Sequence, residues 1–470
     1  MSLWKKILIG FVALILLVVV SFVAFIGPWP TYKDSKFESS AYYKKALEDI
    51  DAAAKLSEFS KSPGQLQAGW ASSLCTPPIG TPLGGYGARK GAPSTGVHDD
   101  LYVKALVLSD GKDMVAITGS DLLLVPPNVA AICRERVAKE TPLTEKNILF
   151  TASHTHCGPG GWAPGIAGYV TGGKYDPKIP ELLGNAFATA IIDAYHKMKP
   201  AQIAHGVVDA TQYIRNRARD AAVDPELNFA VVKQDEKNVC YAVRFSAHPT
   251  NYDDDMMQFS AEYPGVIQRT IEQATGGFSM YLGGSLGSSS PRAPEGPNAD
   301  ARIDALGKAL AQLVLDNSQN LTFESNPDIV SLGVPLGMPP FQMRPLEKNP
   351  GLRVSPFVAK IFGVPPEGWI QGVRVGKLLF VGVPFDLSGE ISIEWKQWAK
   401  RRDLDAWPTG FCAAYCGYLS PDKYYNVTPL GYETALMSWF GPNNEAYFTA
   451  LVHHVAEALT PATQQAALSQ

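Results

Sequence analysis

The chain of 470 residues is 46% hydrophobic and 18% charged, and its 41 basic against 45 acidic side chains leave a formal net charge of -4. That balance excludes a disordered tail and a basic nucleic-acid binder, and the length guarantees a sizeable core. Thirty-six prolines and 42 glycines, spread over the whole chain, indicate a globular body with many turns and no low-complexity tract.

Met1 to Pro30 stands apart from everything after it. Lys5 and Lys6 precede Ile7 to Gly27, 21 residues without a charge, and Pro28-Trp29-Pro30 closes the run. A helix rising about 1.5 Å per residue covers the roughly 30 Å hydrocarbon layer with that length, whereas the apolar region of a cleaved signal peptide has about 7 to 15 residues. Residues 1–30 are therefore expected to form a signal anchor, a transmembrane helix. The two lysines place its start in the cytoplasm, which leaves the rest of the chain periplasmic or extracellular. Glu38 to Lys61 reads as a surface helix with apolar positions at Tyr42, Leu47, Ile50, Ala54 and Leu56. Residues 31–65 are expected to be a helical stalk that lifts the body off the membrane.

From Leu66 the pattern changes to short apolar runs separated by Gly and Pro. Val103 to Leu108, Met114 to Thr118, Asn147 to Thr151, Phe229 to Val232, Ala242 to Ser246 and Leu378 to Val383 read as strands. Asn128 to Glu140, Pro180 to Met198, Pro264 to Ala274, Ala301 to Asn317 and Asn444 to Leu459 carry apolar residues at intervals of three and four and read as helices. Strands alternating with helices predict an α/β body, mixed sheets with flanking helices, in one large domain over residues 66–470. Six cysteines are too few for a disulfide scaffold. Cys412 and Cys416 could form a local bridge, and zinc-finger spacing is absent.

Chemistry concentrates at strand ends. Asn147 to Thr151 runs directly into Ala152-Ser153-His154-Thr155-His156-Cys157 and then Gly158-Pro159-Gly160-Gly161. A His-x-His pair in extended backbone points both rings to one side, which suits metal ligation or a ligand beside a proton donor. A second apolar run ends in His248-Pro249-Thr250, and a third, Lys377 to Pro384, delivers Asp386 and Glu390; either Asp386 or Ser388 could instead cap a following helix. Asp253-Asp254-Asp255 reads as a solvated loop. His453-His454 lies in a helical stretch, where neighbours point about 100° apart and do not ligate jointly, and Ser288 to Ser290 lacks the glycine elbow of serine hydrolases.

Together these pieces resemble the neutral, non-lysosomal ceramidase family. The resemblance runs through most of residues 66 to 450. It is carried by Gly80 to Arg89, Gly96-Val97-His98-Asp99, Ser120-Asp121-Leu122, Ser153 to Pro159, Arg215-Asn216-Arg217 with Val223 to Leu227, His248-Pro249-Thr250 with Ser260 to Gly265, and Gly431-Tyr432-Glu433 with Phe440-Gly441-Pro442. It does not extend to that family's C-terminal immunoglobulin-like domain. The resemblance implies that residues 66–470 are a zinc-dependent amidohydrolase domain cleaving the N-acyl bond of ceramide, a membrane lipid, to a fatty acid and a sphingoid base. It implies one Zn2+ per chain, held by His154, His248, Asp386 and Tyr432, with His156 as proton donor, Arg217 beside the reacting carbonyl and Ser290 in a catalytic role. Two departures stand out. The family's glutamate ligand is the shorter Asp386 here, with Glu390 as the alternative carboxylate, and its Gly-Asp-x-Ser-Pro-Asn loop appears as Gly287-Ser288-Ser289-Ser290-Pro291-Arg292. Alternatives are a zinc hydrolase of another N-acylated lipid or amino compound, and a non-catalytic lipid-binding protein with a degenerate site.

Overall fold

The computed structural model describes residues 2–29, 36–56, 63–365 and 367–461. The apolar run forms α1 (Leu3–Phe25), a helix none of whose residues is buried and which is long and apolar enough, by length and composition, to cross a membrane. Directly after it Ile26 and Gly27 pair antiparallel with Val354 and Arg353.

Of the expected stalk, the described part is docked on the body. Ser40 caps α2 (Ala41–Ala54) by accepting from the Tyr43 N–H. Ala46 and Ile50 are buried in a core shared with Phe37, the strand Ile329–Gly337 and the helix Asn444–Ala458. His454 Nε2 of that last helix also meets Asp51 at 2.7 Å. The sequence pattern marks an apolar stripe correctly but says nothing of what covers it, and here the cover is the sheet of the body. Leu56, by contrast, is exposed.

The body is built on three larger sheets of one plan. In the first, β1 (Gln67–Leu74), β2 (Tyr102–Ser109) and β3 (Met114–Ser120) run antiparallel in sequence; the chain then crosses through α3 (Pro127–Glu140) to lay β4 (Ile148–Leu149) parallel to β3. α4 (Lys178–His196) covers this sheet before β5 (Lys199–Pro200) joins the β1 edge. A Cβ on Gly69 would sit 2.2 Å from the Ala194 carbonyl, so glycine permits this close helix-on-sheet approach. The second sheet repeats the plan with β6 (Gln202–Asp209), β7 (Glu226–Lys233), β8 (Val239–Phe245), crossover α5 (Glu262–Thr275) and parallel β9 (Phe278–Gly283), covered by α6 (Ala299–Asn317). The third repeats it again with β10 (Ile329–Gly337), β11 (Glu367–Val375), β12 (Leu378–Gly382), crossover α7 (Gly389–Lys400) and parallel β13 (Asp405–Thr409), packed by α2 and α8 (Asn444–Ala458).

Loops following the strands of such parallel pairs lie together at one end of a sheet, which is where α/β folds place their sites. His154 follows β4, His248 follows β8 and Asp386 follows β12. The three plans therefore supply one chemical group each. All six cysteines are buried and free, so the local Cys412–Cys416 bridge does not form.

Asp224 ties the second and third sheets together. It is buried and accepts from Arg244 Nη2 (3.0 Å) and Ser246 Oγ (3.1 Å) at the end of β8, and from Ser392 Oγ (2.9 Å) and Lys396 Nζ (2.8 Å) on α7. Burial opposes its ionisation, but Lys396 and Arg244 outweigh burial and hold the carboxyl well below the usual range. A carboxyl with a depressed folded pKa adds stability above its unfolded value, about 3.8, and loses it as pH falls further. Asp224→Asn is expected to cost about 3–5 kcal/mol at neutral pH, since it leaves Arg244 and Lys396 buried and short of charge. It should also flatten the fall in stability below about pH 4, which denaturant titrations at several pH values would show. Ile50→Ala should cost about 2–5 kcal/mol if α2 is docked as described. A free-standing stalk would lose no more than about 0.5 kcal/mol in the same titration.

Candidate active site

His154 sits in a segment that has left the ladder. Only Ile148 and Leu149 pair with β3; beyond them Ser120 Oγ and Thr151 Oγ1 exchange bonds with the opposite backbone carbonyls, and the N–H groups of Ser153 and His154 donate to Ser120 and Leu122. His154 has a φ of 67°, the left-handed region that non-glycine residues rarely occupy and that functional sites retain. The two rings of the His-x-His pair thus converge through a twisted loop instead of an extended strand, with centroids 5.0 Å apart.

Backbone carbonyls orient two of the three imidazoles. His154 Nδ1 bonds to the Leu123 carbonyl and His248 Nδ1 to the Leu286 carbonyl at 3.2 Å, which turns each Nε2 toward the shared space. His248 Nε2 lies 2.9 Å from His156 Nε2. One ligating nitrogen from each of His154, His156 and His248 falls within 4.8 Å of the others. His156, expected to transfer protons, is therefore as close to the common point as the two expected ligands. Its ring packs 4.6 Å from Tyr86, and a Cβ on Gly85 would lie 2.7 Å from its Cγ. Phe411 stacks on His154 at 4.2 Å. Burial pushes His154 down to about 3 and His156 and His248 well below their usual value, so all three are neutral, the form that ligates metals.

Asp386 faces this cluster from the third sheet, with Oδ2 3.7 Å from His154 Nε2. It is fully buried, and neither carboxylate oxygen completes a hydrogen bond. Burial raises its pKa to about 7, while Arg217 and the neighbouring Tyr418 hydroxyl act in the opposite direction. A buried carboxylate beside three neutral imidazoles offers three nitrogens and one oxygen, a donor set of the kind that zinc accepts. Glu390 points elsewhere and binds Lys423 at 2.7 Å.

Tyr418 is the residue the sequence reading missed. Asp386 and Leu387 pair in parallel with Tyr418 and Leu419, so the register places Asp386 beside Tyr418. The Tyr418 hydroxyl is buried and accepts from Arg217 Nη2 at 2.9 Å. Tyr432 lies farther out, 37% exposed, with its ring 6.1 Å from that of Tyr418 and 5.7 Å from the Arg217 guanidinium. Nothing in the sequence separates Tyr418 from the other tyrosines, because the signal is a strand pairing between distant residues.

Arg217 is held by its backbone N–H on Ser288 (2.9 Å) and its Nε on Gly287 (3.2 Å). Burial works against its charge, but Tyr418, Tyr432, Asp386 and Glu433 keep it protonated. Ser290 pairs with Arg215 on the adjoining short ladder, and no hydrogen bond among the described residues joins it to the histidines. The cluster opens into a mostly apolar cavity of about 740 Å³ walled by Leu123, Trp162, Ala167, Val364, Tyr415 and Trp439, with His154, His156 and Tyr418 at one side. That is the size of a pocket for a drug-sized or lipid-like ligand.

Residues 67–280 match the N-terminal family of neutral/alkaline non-lysosomal ceramidases. The neutral ceramidase of Mycobacterium tuberculosis (strain ATCC 25618 / H37Rv) is 25% identical over 220 residues, which cover 43% of this chain and 34% of that protein. The match thus spans about a third of the length of the curated relative. Crystal structures give the fold: neutral ceramidase from Pseudomonas aeruginosa superposes with a TM-score of 0.71 at 17% identity over 87% of this chain and 75% of that one. A ceramidase described as complexed with C2 gives 0.71 at 16%, over 84% and 75%. Residues 67–280 thus match the N-terminal family of neutral/alkaline non-lysosomal ceramidases in sequence, and the fold around them is one that ceramidase structures share along most of this chain.

Proposed function

We propose that this protein is a zinc amidohydrolase that cleaves the N-acyl bond of ceramide or a closely related lipid amide. The observation that carries the reading is the donor set: three neutral histidines, His154 and His248 buried and His156 partly so, and a buried carboxylate, beside an apolar cavity large enough for an acyl chain. His154, His248 and Asp386 would hold the ion, with His156 in reach of the same point. Of the two tyrosines, Tyr418 is the better placed fourth donor, because its hydroxyl lies beside Asp386 while Tyr432 is farther out. Zinc in such a set supplies Lewis acidity toward an amide carbonyl and toward water.

The remaining work falls to the chain's own residues. Hydrolysis adds hydroxyl to the acyl carbon and a proton to the departing amine. His156 is the candidate to carry that proton, since its Nδ1 is buried and has no partner. Arg217, fixed by two backbone carbonyls and kept charged, is placed to stabilise negative charge developing on the amide oxygen. Ser290 is assigned an assisting hydroxyl on the strength of its loop, which Arg217 grips at Gly287 and Ser288. The apolar walls exclude water around the acyl chain. In this reading α1 anchors the chain, with residues 66–470 as the catalytic domain outside the cytoplasm, beside a substrate that resides in the bilayer.

Fatty acid release from a short-chain fluorescent ceramide by the full chain in detergent tests the proposal. Activity abolished by a chelator and restored by zinc is the expected result; a folded, zinc-loaded protein without turnover would redirect the reading to another N-acylated compound, and failure to retain zinc would sink it. His154→Ala should lose metal and activity together. Tyr418→Phe should weaken zinc retention about 10–100-fold, whereas Tyr432→Phe should leave retention unchanged and alter turnover alone. Ser290→Ala should keep zinc and slow turnover about 100-fold. Metal content by mass spectrometry beside initial rates separates these outcomes.

A further inference from the structure

Arg344 and Arg353 are buried, 5% and 6% exposed. Their segments run side by side, with the Val354 N–H donating to the Met343 carbonyl at 2.9 Å, so the two residues are neighbours across the pairing. Each guanidinium gives Nη1 to a carbonyl: Arg344 to Tyr425 at 2.8 Å and Arg353 to Trp29 at 2.9 Å. The Nε of each is buried without an acceptor. Among the described residues no carboxylate is ion-paired with either. Burial and the charge of Arg344 lower Arg353 to about 10. Two like charges out of water with no counterion form an arrangement that folding does not favour by itself.

The location supplies the missing partner. Arg353 pairs with Gly27 and Val354 with Ile26, and the Ser355 N–H donates to the Phe25 carbonyl at 2.8 Å. The arginines therefore stand within a few residues of the end of α1, at the level where lipid headgroups would lie. Guanidinium groups match phosphate oxygens in a fork that lysine cannot reproduce.

We propose that Arg344 and Arg353 bind the phosphate of an anionic phospholipid at the body end of α1. The proposal rests on α1 being inserted in a membrane and is independent of the reaction at the histidines. The full chain is reconstituted in phosphatidylcholine nanodiscs with and without phosphatidylglycerol, and bound lipid is read by native mass spectrometry. Wild type should retain phosphatidylglycerol through a phosphatidylcholine wash. Arg344→Gln with Arg353→Gln should lose that preference roughly 30-fold, the effect of two arginines at an anionic surface. The lysine pair, Arg344→Lys with Arg353→Lys, keeps the charge and guards against misfolding; it should fall between the two. Wild type without preference for phosphatidylglycerol would overturn the proposal, as would inorganic phosphate competing the lipid away at equal concentration, which would assign the site to free phosphate. A chain that fails to float with phosphatidylcholine vesicles would instead refute insertion of α1, while ceramide turnover by the same samples reports separately on the catalytic reading.

Discussion

Everything at the site depends on how Asp224 is shared. One buried carboxylate binds the end of β8 through Arg244 and Ser246 and the first turns of α7 through Ser392 and Lys396. His248 lies two residues beyond Ser246, and Asp386 lies just before α7. The positions of a histidine and a carboxylate from different sheets are thereby fixed relative to one another by a charge network with little freedom to slide. Its ion pairs are buried, so salt screens them far less than it would a surface pair.

That rigidity permits an electrostatic arrangement that a looser fold would relax. Three imidazoles are held neutral by burial, a carboxylate is buried beside them, and the Arg217 guanidinium provides positive charge from the side. The left-handed backbone at His154 is part of the same bargain, since relaxing it would swing the ring away from the Leu123 carbonyl that orients it. Preorganisation of this kind places the reorganisation cost in folding rather than in turnover.

Long amphipathic helices such as α4 and α6 are legible in the sequence to within two or three residues, because a 3.6-residue period over five turns leaves little ambiguity. β10 and β13 are not. Gly333 and Pro335 in one and Pro408 in the other carry the marks of turns, and only pairing with β11 and β12 makes them strands. The same division holds at the site. His154, His156, His248, Asp386 and Arg217 can be picked out from short motifs and are gathered in space. Tyr418 is placed by a two-residue register that no local pattern encodes. The docking of α2 was hidden for a related reason: periodicity reveals that a face is apolar without revealing its neighbour.

The six free cysteines carry a consequence for how such a chain can be made and kept. Each thiol is buried and its burial raises its pKa, so none is a ready thiolate for oxidants or alkylating agents. With no covalent cross-link to form, the body reaches its fold by packing and charge pairing alone. Its maturation is thus indifferent to the redox poise of the compartment in which it folds, and reductants leave it intact.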